Sequence, residues 1–362
     1  MKIINVVGAR PNFMKIAPLI RAMNARKPHI EHLLVHTGQH YDQSMSDNFF
    51  AQLEIPEPDI NLGVGSGSHA EQSGRIMMEF EKVLVRHKSD LIVVVGDVNS
   101  TIACSLVASK LGVRVAHVEA GLRSFDRTMP EEINRVLTDA LSDFLFTTEA
   151  AANDNLKREG IPQEKIFFVG NVMIDTLVHC LTGINGKGLP FEGLKENGYA
   201  VITLHRPSNV DNPEALGKIL KAFCDISTRL KLVILLHPRT EKNIRAFGMQ
   251  EDLEKIAGNA IISGPIGYLE MLRLNRSARM VITDSGGLQE ETTYLGIPCI
   301  TMRENTERPS TVDLGTNVIV GNDLDTLFAN FERVMSGNFK KGRIPPLWDG
   351  KAAERIVDIL TE

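Results

Sequence analysis

The chain predicts an α/β fold of two doubly wound, Rossmann-like domains, and three observations carry that expectation. Short runs rich in Val and Ile alternate with amphipathic stretches along the whole length. The runs Leu91-Ile92-Val93-Val94-Val95 and Leu232-Val233-Ile234-Leu235-Leu236 are apolar without alternation, as expected of parallel strands covered by helices on both faces. At 362 residues the chain also exceeds what one hydrophobic core usually serves.

In order, 2–8, 30–36, 91–96, 113–118, 143–147 and 166–169 read as strands of a first domain, with helices between them. A second series follows at 200–204, 232–236, 260–262, 279–282, 298–301 and 317–320. Between the two lies 182–190, rich in Gly and poor in periodic apolar residues, which reads as a linker. The expected domains are 1–182 and 183–347, with one amphipathic helix over 348–362 rejoining the first. Ligands of such sheets bind at the carboxyl ends of the strands, so the expected site is the cleft between the domains.

Composition removes several functions. A net charge of −5 and a pI near 6.1 leave no basic surface for nucleic acid, so an anionic ligand must be held by local groups. Cys104, Cys180, Cys224 and Cys299 lie far apart among apolar neighbours and read as buried thiols, not as a disulfide or zinc framework. No spaced set of metal ligands and no Walker loop is present, so neither metal nor cofactor is expected. The segment Gly65-Ser66-Gly67-Ser68-His69-Ala70 matches a dinucleotide fingerprint only formally, since no strand is evident before it. The start of the chain has no secretory pattern, and no apolar run approaches the ~20 residues of a membrane span. The expectation is a cytoplasmic protein without a membrane partner.

The segments that follow strands carry the chemistry. Thr283-Asp284-Ser285-Gly286-Gly287-Leu288-Gln289-Glu290-Glu291 reads as a strand end, a small-residue turn and a helix start. Unpaired N–H groups at Ser285, Gly286 and Gly287 suit a diphosphate, and Glu291, one turn further, suits the two hydroxyls of a ribose. Ser285 as a simple cap and the glycines as a tight turn remain the plainer alternative. Arg10 and Lys15 flank the helix start after the first strand, an end that cations avoid unless an anion binds there. Asp97, Glu119 and Glu131 are brought by adjacent elements to one edge of the first sheet, where crowding would raise one carboxyl's pKa above its neighbour's, as paired acid and base catalysis requires. Asn99 or Ser100 is expected to cap the next helix, leaving Asp97 free. His205 and His237 end two strands of the second domain and can donate to phosphate, and Arg308 offers a further cation.

Taken together, GARPNFMKIAP at 8–18, TGQHYD at 37–42, GDVNST at 96–101, HVEAGLRS at 117–124, MPEEINR at 129–135, TDSGGLQEE at 283–291 and ENTERP at 304–309 resemble the UDP-N-acetylglucosamine 2-epimerase family. The resemblance implies a GT-B-like pair of domains, a homodimer, UDP held by the second domain and the sugar by the first, and a place in cell-envelope polysaccharide biosynthesis. It implies elimination of UDP to a 2-acetamidoglucal and its re-addition with inverted C2. Asp97, Glu119 and Glu131 are then acid and base groups, and Arg10, Lys15 and His205 stabilise the departing diphosphate. Arg123, Arg135, Arg206, His237, Ser285, Gly286, Gly287, Glu291 and Arg308 bind substrate. The chain departs from the family at Ala9-Arg10-Pro11-Asn12, where Thr-Arg-Pro-Glu is familiar, and at His205-Arg206-Pro207-Ser208-Asn209. It departs also over 65–72, so activation by UDP-N-acetylglucosamine is not expected, although Gln39 and Gln43 stand near the activator position. The alternatives are a hydrolysing epimerase, an epimerase of a modified UDP-2-acetamido sugar and, further off, a GT-B glycosyltransferase or a silent UDP-sugar sensor.

Overall fold

A computed structural model describes residues 1–26, 30–39, 57–184 and 186–362. Gln43 and the Arg10 side chain lie outside the described residues. The chain divides into two compact units, Met1–Cys180 with Pro346–Glu362, and Leu181–Pro345.

The first unit holds β1 (Lys2–Val7), β2 (Glu31–His36), β3 (Ile60–Asn61), β4 (Leu91–Val95), β5 (Arg114–Ala120), β6 (Phe144–Thr147) and β7 (Ile166–Phe168). They form one sheet in the order β3-β2-β1-β4-β5-β6-β7, with every pairing parallel. All five residues of β4 are buried, as its unbroken apolar run requires. On one face Ile4, Val6, Ile92 and Val94 pack with Ile76, Phe80 and Leu84 of the helix His69–His87 and with Cys104 and Val107 of the helix Asn99–Lys110. Two differences from the sequence reading stand out. β3 is an edge strand of two residues, too short to register as an apolar run. β5 runs on through Glu119 and Ala120 by way of a bulge.

The segment 348–362 is not one helix. Trp348 is buried and donates its indole N–H to the Thr148 carbonyl at 2.9 Å, and only Ala352–Thr361 is helical. Its first turn is tied down by Asp175, which accepts the N–H groups of Ala352 and Ala353 at 3.1 and 2.7 Å, and its body packs on the helix Arg10–Ala25. Burial pushes Asp175 up to about 6.

The second unit holds β8 (Tyr199–Thr203), β9 (Lys231–Leu235), β10 (Ala260–Ser263), β11 (Met280–Thr283), β12 (Cys299–Thr301) and β13 (Asn317–Ile319). The order is β10-β9-β8-β11-β12-β13, again parallel throughout. In both sheets the chain winds outward from a central strand, then returns to that strand's other side. Connections leaving the two central strands therefore diverge and open a crevice at their carboxyl ends. In the first unit that point joins Gly8-Ala9 after β1 to Gly96-Asp97 after β4; in the second it joins His205 after β8 to Asp284-Ser285 after β11. Among the described residues, no helix is long and apolar enough to cross a membrane, and no group of His, Cys, Asp and Glu could hold a metal ion. The four cysteines are free thiols.

Candidate active site

In the first unit Asn12 ties the crevice together. Its Oδ1 accepts the N–H groups of Gly8 and Ala9, each at 3.0 Å, and its Nδ2 donates to the Val95 carbonyl at 3.1 Å. An amide can serve both sides in this way, whereas the family's more familiar glutamate can only accept. One turn on, Lys15 is buried and pairs with Glu119 at 2.8 Å. Asp97 accepts from Arg135 Nε at 3.0 Å and Nη2 at 2.9 Å. Arg135 also binds Glu132, a buried carboxylate that accepts the N–H groups of Ser124 and Phe125, both at 2.9 Å. Gln39, His69, Gln72, Asp97, Asn99 and Glu131 line a cavity of about 320 Å³.

Two expectations are corrected here. Asp97 is paired, not free. Neither Asn99 nor Ser100 caps the helix Asn99–Lys110: Gln39 Oε1 accepts Ser100 N and Oγ at 3.1 and 2.8 Å, and Asn99 donates to Gln72 at 2.9 Å. Asp97 and Glu119 each face a cation, Arg135 and Lys15 respectively. Glu119 is held at φ +76° beside the bulge between Val118 and Ala120. A non-glycine residue there costs about 1–2 kcal/mol and persists only where its surroundings insist on it.

In the second unit the organising group is Asp284, fully buried at the end of β11. It accepts the N–H of His205 at 2.9 Å, that of Arg206 at 2.8 Å and Asn209 Nδ2 at 2.9 Å, and meets His205 Nδ1 at 2.8 Å. Burial works to raise its pKa, but His205 and these N–H donors outweigh it and hold the carboxyl below its usual range. The rings of His205 and His237 stand 5.3 Å apart. The His237 pKa is lowered by partial burial and then by the neighbouring His205. Arg206 Nε is buried without a hydrogen-bond partner among the described residues.

Beside this group the helix Gly286–Leu295 begins, with Ser285 in the cap position but its hydroxyl making no capping bond. Neither Gly286 nor Gly287 has a positive φ, so the tight-turn explanation of these glycines fails. At Gly286 a Cβ would lie 2.7 Å from Arg308 Nη1, while at Gly287 it would meet nothing within 4 Å. Arg308 is held over that position by Glu290 at 2.8 Å and Glu307 at 3.3 Å. Glu291 is buried, and burial first, then Glu290, raises its pKa to about 7 against hydrogen bonding from Tyr268 and Asn275.

A family model described as UDP-N-acetylglucosamine 2-epimerase matches residues 22–361. The chain belongs to that family. It is 45% identical over 367 residues to the UDP-N-acetylglucosamine 2-epimerase of Methanocaldococcus jannaschii, covering 100% of this chain and 99% of the relative. The crystal structure of the M. jannaschii UDP-GlcNAc 2-epimerase in complex with UDP-GlcNAc and UDP matches with a TM-score of 0.90 and 44% identity, over 100% of this chain and 99% of that one. The UDP-2,3-diacetamido-2,3-dideoxy-D-glucuronate 2-epimerase of Pseudomonas aeruginosa is 40% identical over 100% of both chains. The two doubly wound units are thus the GT-B-like architecture of the epimerase family.

Among the epimerase motifs, the structure brings Asp97, Arg135, Lys15 and Glu119 into ion pairs in one unit, and His205, Arg206, Ser285, Gly286 and Arg308 to one crevice in the other. Glu131 reaches the Asp97 cavity. Arg123 is corrected: it is buried, with Nε and Nη2 on Glu159 at 2.8 and 2.6 Å, Nη2 also on Asp139 at 2.7 Å and Nη1 on the Leu122 carbonyl at 2.7 Å. Those bonds take four of its five N–H donors, and the side chain is buried among them. Lys15 is bound to Glu119. Sequence reasoning missed Asp284, although the signal was there: an acid following a strand directly, with a strand-end histidine pointing to the same sheet edge. Glu132, Asp139 and Gln39 gave no such signal, since their partners lie far off along the chain or on the backbone.

Proposed function

We propose that this chain is a UDP-N-acetylglucosamine 2-epimerase that interconverts UDP-N-acetylglucosamine and UDP-N-acetylmannosamine. The 45% identity to a relative of that name, spanning both units, carries the reading, and the two crevices supply chemistry that fits it. The C2 hydrogen is not next to a carbonyl, so its removal must accompany loss of the anomeric group. A base takes the C2 proton, the C–H electron pair becomes the C1=C2 bond, and the C1–O pair leaves with UDP. Proton delivery to the other face of C2 and re-addition of UDP at C1 complete the inversion.

Asp97, Glu119 and Glu131 are the acid and base groups of this reading. Arg135 and Lys15 fix the first two in place and balance their charge. His205, anchored through Nδ1, turns Nε2 to the diphosphate, joined by Arg206, by Arg10 and by the uncapped helix start at Ser285, Gly286 and Gly287. Pre-placed donors of this kind are worth about 3 kcal/mol each as charge grows on a leaving group. Arg308 supports the phosphate turn, His237 lines it, and Glu291 takes the ribose.

We also assign the chain to the cytoplasm, where its free thiols stay reduced, and to cell-envelope polysaccharide synthesis. It acts as a homodimer, which exposed Met78 and Val85 of the helix His69–His87 and Ile133 and Leu137 of the helix Pro130–Leu141 support. A second reading, epimerisation of a UDP-2,3-diacetamido uronate, has the P. aeruginosa relative in its favour. Proton NMR in D₂O with each UDP-sugar separates them. UDP-N-acetylmannosamine with deuterium at C2 of both sugars is the expected result. Free N-acetylmannosamine with UDP makes the enzyme hydrolysing, and turnover of the uronate alone selects the second reading.

A further inference from the structure

We propose that Asp139 is a positioning residue that holds the backbone around both strand-end carboxylates, Glu119 and Asp97. Nothing in the motif gives it a substrate role: it is fully buried in the helix Pro130–Leu141. Its carboxylate clasps β5 on both sides of the bulge. Two residues before Glu119, His117 Nδ1 donates to Asp139 Oδ1 at 2.6 Å; two residues after, the Gly121 N–H donates to Oδ2 at 3.0 Å. The same ring reaches the neighbouring strand, where His117 Nε2 donates to the Gly96 carbonyl at 2.8 Å, next to Asp97. The Gly96 N–H returns to the Val118 carbonyl at 3.0 Å.

Both ring nitrogens of His117 thus face acceptors. Arg123 adds an ion pair to Asp139 at 2.7 Å and reaches out to Glu159 at 2.6 Å. Burial works against the Asp139 carboxylate, yet His117 and Arg123 hold its pKa below the ordinary value. The left-handed backbone at Glu119 is the conformation the chain would leave first if the clasp were loosened, because its neighbours on either side are what Asp139 binds.

The inference rests on the proposed reaction for its kinetic consequence but not for its structural one, which separates the two failures. In a crystal structure of Asp139→Asn, Glu119 is expected to leave the left-handed region or to lose Lys15. Turnover should fall by about 10²-fold with UDP affinity within about threefold, the signature of a group acting on the reacting end only. In a Glu119→Gln background the same change should cost markedly less than in the unaltered chain, since the part of its effect that acts through Glu119 has nothing left to position. Retention of both the Glu119 conformation and the Lys15 pair overturns the proposal whatever the substrate, as does an equal loss of turnover in both backgrounds. Should Asp139→Asn not fold, His117→Gln, which cuts only the link and leaves Asp139 on Gly121 and Arg123, is put through the same measurements with the same deciding outcomes.

Discussion

The two crevices have the same strand order and opposite electrostatics. After β1 and β4, the charged side chains neutralise one another: Lys15 with Glu119, and Arg135 with Asp97 and Glu132. After β8 and β11, the buried Asp284 gathers backbone N–H groups and one imidazole, while Glu290 and Glu307 pair with Arg308. Arg206 Nε and the first turn after Ser285 stay open. Topology decides where a ligand can sit, and local charge pairing decides what it is. In the proposed reading the first crevice holds groups for moving a proton and the second holds donors for an anion.

The comparison breaks most visibly through turnover. Glu119→Gln and Asp97→Asn are each expected to lower it by ~10² or more, while calorimetry finds UDP affinity nearly unchanged. A parallel loss of UDP binding would mean that the two crevices do not divide the work as described. In the second crevice His205→Ala and Arg206→Ala should instead weaken UDP by about tenfold or more, since a hydrogen bond to a charged group contributes roughly 1.5–3 kcal/mol.

Glu291 sharpens the contrast through pH. Its pKa is raised from 4.5 to about 7, so its contribution to stability is full below 4.5 and is lost as pH rises through about 7. Ribose hydroxyls need the ionised form as acceptor, so affinity for a UDP-sugar should rise several-fold between pH 6 and 8. Glu291→Gln should flatten that slope while making the ligand-free chain more stable at pH 8, by up to roughly 3 kcal/mol. A pH-independent affinity in the unaltered chain would remove Glu291 from the ribose.

The smallest effect concerns glycine. At Gly286 an added methyl meets only the end of Arg308, which can swing away, so Gly286→Ala should cost under about 1 kcal/mol of stability. Gly121, at φ +78°, would drive a Cβ to 2.5 Å from the Ala152 carbonyl, a backbone atom that cannot yield. Thermal melts of Gly121→Ala and Gly286→Ala should therefore differ by several degrees, and equal melts would contradict the packing.

The strands were legible because burial on both faces writes itself locally, as four or five apolar residues in a row; only β3, at two residues, escaped. The site residues were legible as types at strand ends, and seven motifs in order sufficed for the family. Their partners were not. Lys15 and Glu119 are 104 residues apart, and Asp284 and His205 79 apart, and no periodicity encodes which cation meets which carboxylate. Arg123 illustrates the cost: within HVEAGLR it reads as a ligand cation, while Glu159 and Asp139, which occupy it, stand outside the motif.

By itself, then, the sequence determined the α/β class, the parallel sheets, the division into two series of strands and the family, because hydrophobic burial follows a period of two or 3.6 residues along the chain. Tertiary structure alone decided that Asp97 and Glu119 answer to cations, that Asp139 clasps the bulge, and that Arg308 lies over Gly286. Coulombic and contact energies depend on distance through space, and the strand order sets that distance.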